Sequence, residues 1–124
     1  MIKLVYCVAK RGDVSAEEFY RYWLQEHGPL VKSVAHDIGA CHYVQSHTVL
    51  PELNTVMQAG RGLQPPFDGI TEVWWQSVED FERGSATPEG QTAAARLQDD
   101  ESTFIDFSRS HVFMTEEHEI FRHQ

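Results

Sequence analysis

The chain has 124 residues, 41% of them apolar or aromatic, which suits a single domain with a packed core. Nineteen acidic against ten basic side chains give a net charge of −9, a field that repels phosphate backbones and anionic lipid, so neither nucleic-acid nor membrane binding is expected. The longest unbroken apolar run, residues 4–9, falls far short of the roughly 20 needed to span a bilayer, and no signal-peptide pattern precedes it, so the expected location is cytoplasmic.

Residues 2–9 read as a strand, with Ile2, Leu4, Tyr6 and Val8 on one face and Lys3, Val5, Cys7 and Ala9 on the other. Both faces are largely apolar, so both should be covered. Ser15 and Glu18 fit a reciprocal capping box that opens a helix over residues 16–27, with Gly28-Pro29 as its stop signal. A spacing of four places Phe19, Trp23 and His27 on one stripe of that helix. A second helical stretch covers residues 30–37. Residues 41–49 form the second strand, with Cys41, Tyr43, Gln45 and His47 facing one way and His42, Val44 and Ser46 the other.

Residues 50–66 read as a long connection, either a lid or a surface insertion. The third strand, residues 70–75, is entered through the Asp68-Gly69 turn and points Trp74 and Trp75 to opposite faces. Ser77 starts a short helix that breaks near Gly84, and Thr87-Pro88 starts another. Its end, Asp99-Asp100-Glu101, reads as solvated. Residues 111–120 form the fourth strand.

The order βαββαβ gives a ferredoxin-like α+β domain over residues 1–124: a four-stranded antiparallel sheet with helices on one face. The other face would be bare, and a second copy of the chain is the simplest cover, hence a homodimer. This plan puts the third strand between the first and second, which keeps Cys7 and Cys41 beyond disulfide reach.

The run Glu18-Phe19-Tyr20-Arg21-Tyr22-Trp23, followed by Glu26-His27-Gly28-Pro29-Leu30-Val31, resembles the EthD-domain family of the dimeric α+β barrel superfamily. Tyr43-Val44-Gln45-Ser46-His47 and Phe67-Asp68-Gly69-Ile70-Thr71-Glu72-Val73-Trp74-Trp75 extend the resemblance in register. The resemblance implies a homodimer with a small-molecule cleft between sheet and helices in each subunit. The superfamily includes cofactor-independent monooxygenases, polyketide cyclases, decarboxylases, lactone isomerases and haem-binding enzymes. In the resembling lactone isomerases a strand tyrosine works with a helix histidine, and Tyr43 and His27 are the matching positions.

Each candidate residue has a bland reading beside the chemical one. His27 is a candidate acid or base in the cleft, or a histidine satisfied by the dipole at a helix end. Tyr43 is the second catalytic candidate. Gln45 and His47 share its face and line either a pocket or a wet surface. Trp23 and Trp74 are candidates for stacking on a ligand ring, with core packing as the alternative. Asp68 is a binding candidate or a turn former. Glu72, mid-strand, needs a partner such as Lys3 or Arg11, or serves as an acid. Neither a metal-binding pattern nor a nucleotide-binding glycine motif is legible, so no metal and no cofactor is expected.

The expected function is cofactor-independent acid/base chemistry on a small apolar, aromatic, polyketide-like or lactone ligand: decarboxylation, dehydration, cyclisation or isomerisation, with cofactor-free oxygenation as a close variant. The alternatives are a non-catalytic accessory protein that binds such a molecule, and a haem-dependent oxidoreductase with a histidine ligand.

Overall fold

A computed structural model describes all residues, 1–124. Four strands, β1 (Ile2–Val8), β2 (His42–His47), β3 (Gly69–Trp75) and β4 (His111–Thr115), form one antiparallel sheet in the order β2-β3-β1-β4. Register pairs Val5 with both Glu72 and Phe113, and Val44 with Glu72, so these side chains share the outer face with Lys3, Cys7 and Trp74. Leu4, Tyr6, Tyr43, Thr71, Val73, Trp75 and Val112 share the inner face, beneath the helices. Because β3 lies between the two cysteine-bearing segments, Cys7 and Cys41 are unpaired.

The first helix departs from the sequence expectation in an informative way. Ser15 accepts from the Glu18 amide at 3.2 Å as a cap should, but the Glu18 carboxylate pairs with Arg21, so the reciprocal half of the box does not form. Nor does the helix stop at Gly28-Pro29. α1 (Ala16–Tyr22) runs through a π-helical turn (Trp23–His27) directly into α2 (Gly28–Ile38). Pro29 has no N–H, and its ring would collide with a carbonyl four residues earlier in a regular helix. The wider π turn, in which the Gly28 amide donates to the Trp23 carbonyl, absorbs that misfit without ending the helix.

The connection at residues 50–66 contains a further helix, α3 (Pro51–Arg61), which buries none of its residues. Leu50, just ahead of it, adopts a left-handed backbone with φ of 57°. Helices α4 (Val78–Ala86) and α5 (Pro88–Glu101) follow β3, capped by Ser77 and Thr87 through the amides of Asp80 and Gly90. The fourth strand ends at Thr115 rather than near residue 120.

Val8, Phe19, Trp23, Phe104 and Ile105 form the best-buried cluster, at one end of the sheet. The Phe19 ring packs 5.5 Å from Trp23 and 5.7 Å from Phe104. The segment after α5 is tied to the segment after β1: the Arg11 amide donates to the Phe104 carbonyl, and the Asp106 amide to the Ala9 carbonyl. This fixes where α5 ends, and therefore where its last carboxylates sit.

Helices α4 and α5 cross so tightly that a Cβ on Gly90 would fall 1.6 Å from the Gly84 carbonyl oxygen. Gly90→Ala is expected to cost at least about 2 kcal/mol by forcing the two helices apart. Gly60→Ala, on the open surface of α3 with nothing within 4 Å, is expected to gain roughly 0.5–1 kcal/mol from helix propensity alone. Urea denaturation of the two variants checks both signs.

Candidate functional site

A cavity of about 610 Å³ lies between the inner sheet face and helices α2, α4 and α5. Val31, Ile38, Val73, Trp75, Phe81, Ala94 and Leu97 make most of its wall apolar. Tyr6, His27, Tyr43 and Glu101 bring polar groups to it. A volume of this size with a few convergent polar groups is the usual form of a small-molecule site.

His27 is placed by the π turn, which aims its ring toward the end of α5. Its Nδ1 lies 2.7 Å from Asp100 Oδ2 and its side chain is only 6% exposed. The carboxyl oxygen is the acceptor, so Nδ1 carries the proton and Nε2 keeps a lone pair. Nε2 stands 4.0 Å from Glu101 Oε2. Burial holds the His27 pKa below its ordinary 6.5, with the Asp100 contact pulling the other way. Because the helix continues through Gly28, His27 does not end its own helix, and the dipole explanation at that position does not apply. Asp100 also accepts from the Tyr22 hydroxyl, which fixes the carboxylate behind the imidazole.

Tyr43 accepts a hydrogen bond from Gln45 Nε2 at 2.8 Å, leaving its own O–H to donate. Burial pushes its pKa up, so it stays a neutral donor. Gln45 also donates to the Trp23 carbonyl at 2.8 Å, where the π turn is bonded, and His47 bonds to Gln45 Oε1 at 2.8 Å. The His47 ring stacks on Trp23 at 4.4 Å and 7°. Gly69 permits this, since a Cβ there would fall 2.5 Å from the indole.

Of the residues singled out from the sequence, His27, Tyr43 and Trp23 therefore share the cavity wall, and five others lie elsewhere. Gln45 and His47 face the helices but act behind the wall, latching the π turn to β2. Asp68 receives the Lys10 amide at 2.7 Å and offers its carbonyl to Tyr20, tying the entry of β3 to β1 and α1. Glu72 is on the outer face, paired with Lys3 at 2.6 Å. Trp74 is on that face too, against His42 and hydrogen-bonded to Glu117. Strand parity assigns the cavity to Trp75 instead.

Glu101 and Asp100 are the residues that sequence reasoning misread as a solvated helix end. Glu101 lines the cavity with its side chain 19% exposed, and burial raises its pKa to about 7, against a smaller opposing effect of the Tyr6 hydroxyl. Tyr6 is itself pushed upward, first by burial and then by the Glu101 charge. The available signal was Phe104-Ile105: two large apolar residues directly after the acidic run imply that the helix end is pinned to the core.

The lining does not fit a haem. An iron on Nε2 would meet the Glu101 carboxyl, and no lysine or arginine lines the cavity to hold propionates. No group of three histidine, cysteine or acidic side chains is arranged to hold a metal ion.

The EthD domain model matches residues 11–108. The chain belongs to the EthD domain family. An EthD family protein from Bacillus halodurans C-125 superposes with a TM-score of 0.63 at 16% identity, covering 95% of this chain and 99% of that one. A dimeric ferredoxin-like protein of unknown function from Bacteroides fragilis gives 0.58 at 11% identity, covering 94% and 95%. SnoaB, a cofactor-independent oxygenase from Streptomyces nogalater, gives 0.54 at 11% identity, covering 98% and 97%. No curated protein sequence matches significantly. At these identities the structural likeness establishes the ferredoxin-like fold. No helix of the EthD domain is long and apolar enough to cross a membrane.

The electrostatics of the site carry a measurable sign. The folded pKa of Glu101 lies above its ordinary value of 4.5, so its contribution to stability is fully present below pH 4.5 and lost as pH rises through about 7. Glu101→Gln removes that loss. Relative to the wild type, the variant is expected to gain up to about 3 kcal/mol between acidic and mildly alkaline solution. Urea midpoints of both proteins across that range measure the difference.

Proposed function

We propose that this EthD domain is a cofactor-independent enzyme that moves a proton on a small, largely apolar aromatic, polyketide-like or lactone substrate. The observation that carries this reading is the His27 Nδ1–Asp100 hydrogen bond of 2.7 Å at the wall of an apolar cavity. Asp100 fixes the tautomer and stabilises the imidazolium, so Nε2 serves as the base. Nε2 removes a proton from a carbon next to a carbonyl, and the C–H electron pair moves onto the carbonyl oxygen. Tyr43 donates its O–H to that oxygen as negative charge develops there. Return of the proton at another carbon gives isomerisation, and departure of a β-hydroxyl that takes the proton from the imidazolium and leaves as water gives dehydration. Attack of the enolate carbon on a second carbonyl, whose oxygen takes the proton back from the imidazolium, gives cyclisation. The same base applied to a phenol gives an electron-rich anion suited to cofactor-free reaction with dioxygen, in keeping with the likeness to SnoaB.

We further infer that the chain works as a homodimer paired through the outer sheet face. Phe113 and Ile70 are 50% and 37% exposed there in the single chain, beside Val5 and Val44, and the Bacteroides fragilis relative is described as dimeric. Light scattering at micromolar concentration is expected to give twice the chain mass of 14.2 kDa, from an interface of about 1,200–2,000 Å². A monomeric mass contradicts this arrangement.

The chemistry is tested with 2-tetralone, an uncharged aromatic ketone, by following exchange of its α-protons in deuterated water by NMR. Exchange is expected to exceed that in buffer. His27→Ala should lower it at least about 100-fold in protein that circular dichroism shows to remain folded, though with a lowered melting temperature, and Tyr43→Phe should lower it less, chiefly in kcat. Binding without exchange above the buffer rate would make the protein a carrier of such molecules rather than an enzyme.

A further inference from the structure

No lysine or arginine lines the cavity. The titratable groups on its wall are Tyr6 from β1, Tyr43 from β2, His27 from the π turn, Glu101 from α5 and His111 from β4, with Asp100 behind His27. Among these, the Glu101 carboxyl has only Tyr6 as a hydrogen-bonding neighbour and His27 Nε2 at 4.0 Å. A buried carboxyl without a cation is costly in its charged form. A ligand carboxylate brought into the same low-dielectric space adds a second negative charge with nothing to offset either. A ligand hydroxyl does the opposite, adding a second donor to the carboxyl beside the Tyr6 hydroxyl.

We propose that Glu101 makes the cavity selective for uncharged aromatic ligands bearing a phenolic or enolic hydroxyl, which donates to its carboxyl oxygen, and that it turns away the corresponding carboxylates. This deepens the proposed function and rests on its reading of the cavity as a small-molecule site. Among the proton-transfer reactions open to His27, it favours dehydration, cyclisation, isomerisation or oxygenation of a hydroxylated neutral ring system. It disfavours decarboxylation of a free acid. The class of reaction that supplies the substrate is then one that leaves no free carboxylate on that ring system.

The probes are 2-naphthol and 2-naphthoate, of similar size and differing in the charge they carry. Their affinities are measured by calorimetry and by quenching of Trp23 and Trp75, which both line the cavity. In the wild type at about pH 8, 2-naphthol is expected to bind about tenfold or more tightly than 2-naphthoate. Glu101→Gln should shrink that ratio to about threefold or less, mainly by improving 2-naphthoate, because the amide keeps the acceptor but removes the charge. In the wild type the ratio should also fall between about pH 8 and pH 5.5, as Glu101 takes up a proton and His27 begins to. This arm needs no variant.

The proposal is overturned by equal affinities in the wild type at the higher pH, or by discrimination that neither Glu101→Gln nor acidification reduces; binding of both probes would then leave the small-molecule site standing. Failure of both probes to bind overturns the proposal and the cavity reading together.

Discussion

A proline in the middle of a helix leaves one carbonyl without its donor and crowds the turn before it. In this chain the strain falls on the wall of the cavity. The π turn that accommodates Pro29 spans Trp23–His27, and the extra residue in its ring moves His27 out of ordinary helical register, toward the end of α5. The wider turn is secured from the sheet side. Gln45 donates to the Trp23 carbonyl, His47 stacks on the indole, and Gly69 leaves room for the indole itself. From the other side Asp100 takes the imidazole N–H. Removing the proline misfit would let the helix return to regular geometry and carry the imidazole away from its partner.

The polar wall of the cavity then follows from elementary electrostatics. Two ionisable groups, His27 and Glu101, stand 4.0 Å apart, and burial disfavours the charged form of each. Imidazole and carboxylic acid are therefore both kept near their neutral states close to neutral pH, one with a lone pair and the other with a proton. A neutral base beside a neutral acid at the wall of an apolar chamber suits reversible proton transfer. The same pair without a nearby cation suits an uncharged ligand.

Much of the fold was legible because period-two alternation and the turn residues fix strands strongly. The faces of β1, β2 and β3 follow from Tyr6, Tyr43 and the Trp74-Trp75 pair, and the strand order follows from right-handed crossovers through the helices. The helix α3 was hidden because Leu53, Val56 and Met57 face solvent, so its apolar spacing has no core to explain it. Parity separates the two tryptophans but does not say which face holds the cavity, which is why the sequence points to Trp74 where the structure has Trp75. The same holds for Glu72, whose ion pair with Lys3 lies on the outer face. Asp100 and Glu101 escaped because charge runs at helix ends are ordinarily solvated, and only the tertiary anchor at Phe104-Ile105 brings this one inside.

The account stands or falls on the state of one imidazole. Long-range ¹⁵N–¹H correlation NMR of His27 near neutral pH reads the protonation of each ring nitrogen separately. The expected spectrum shows a protonated Nδ1 and an unprotonated Nε2, with a pKa below the ordinary 6.5. A proton on Nε2, or a doubly protonated ring at neutral pH, would contradict the assignment of His27 as the base held by Asp100.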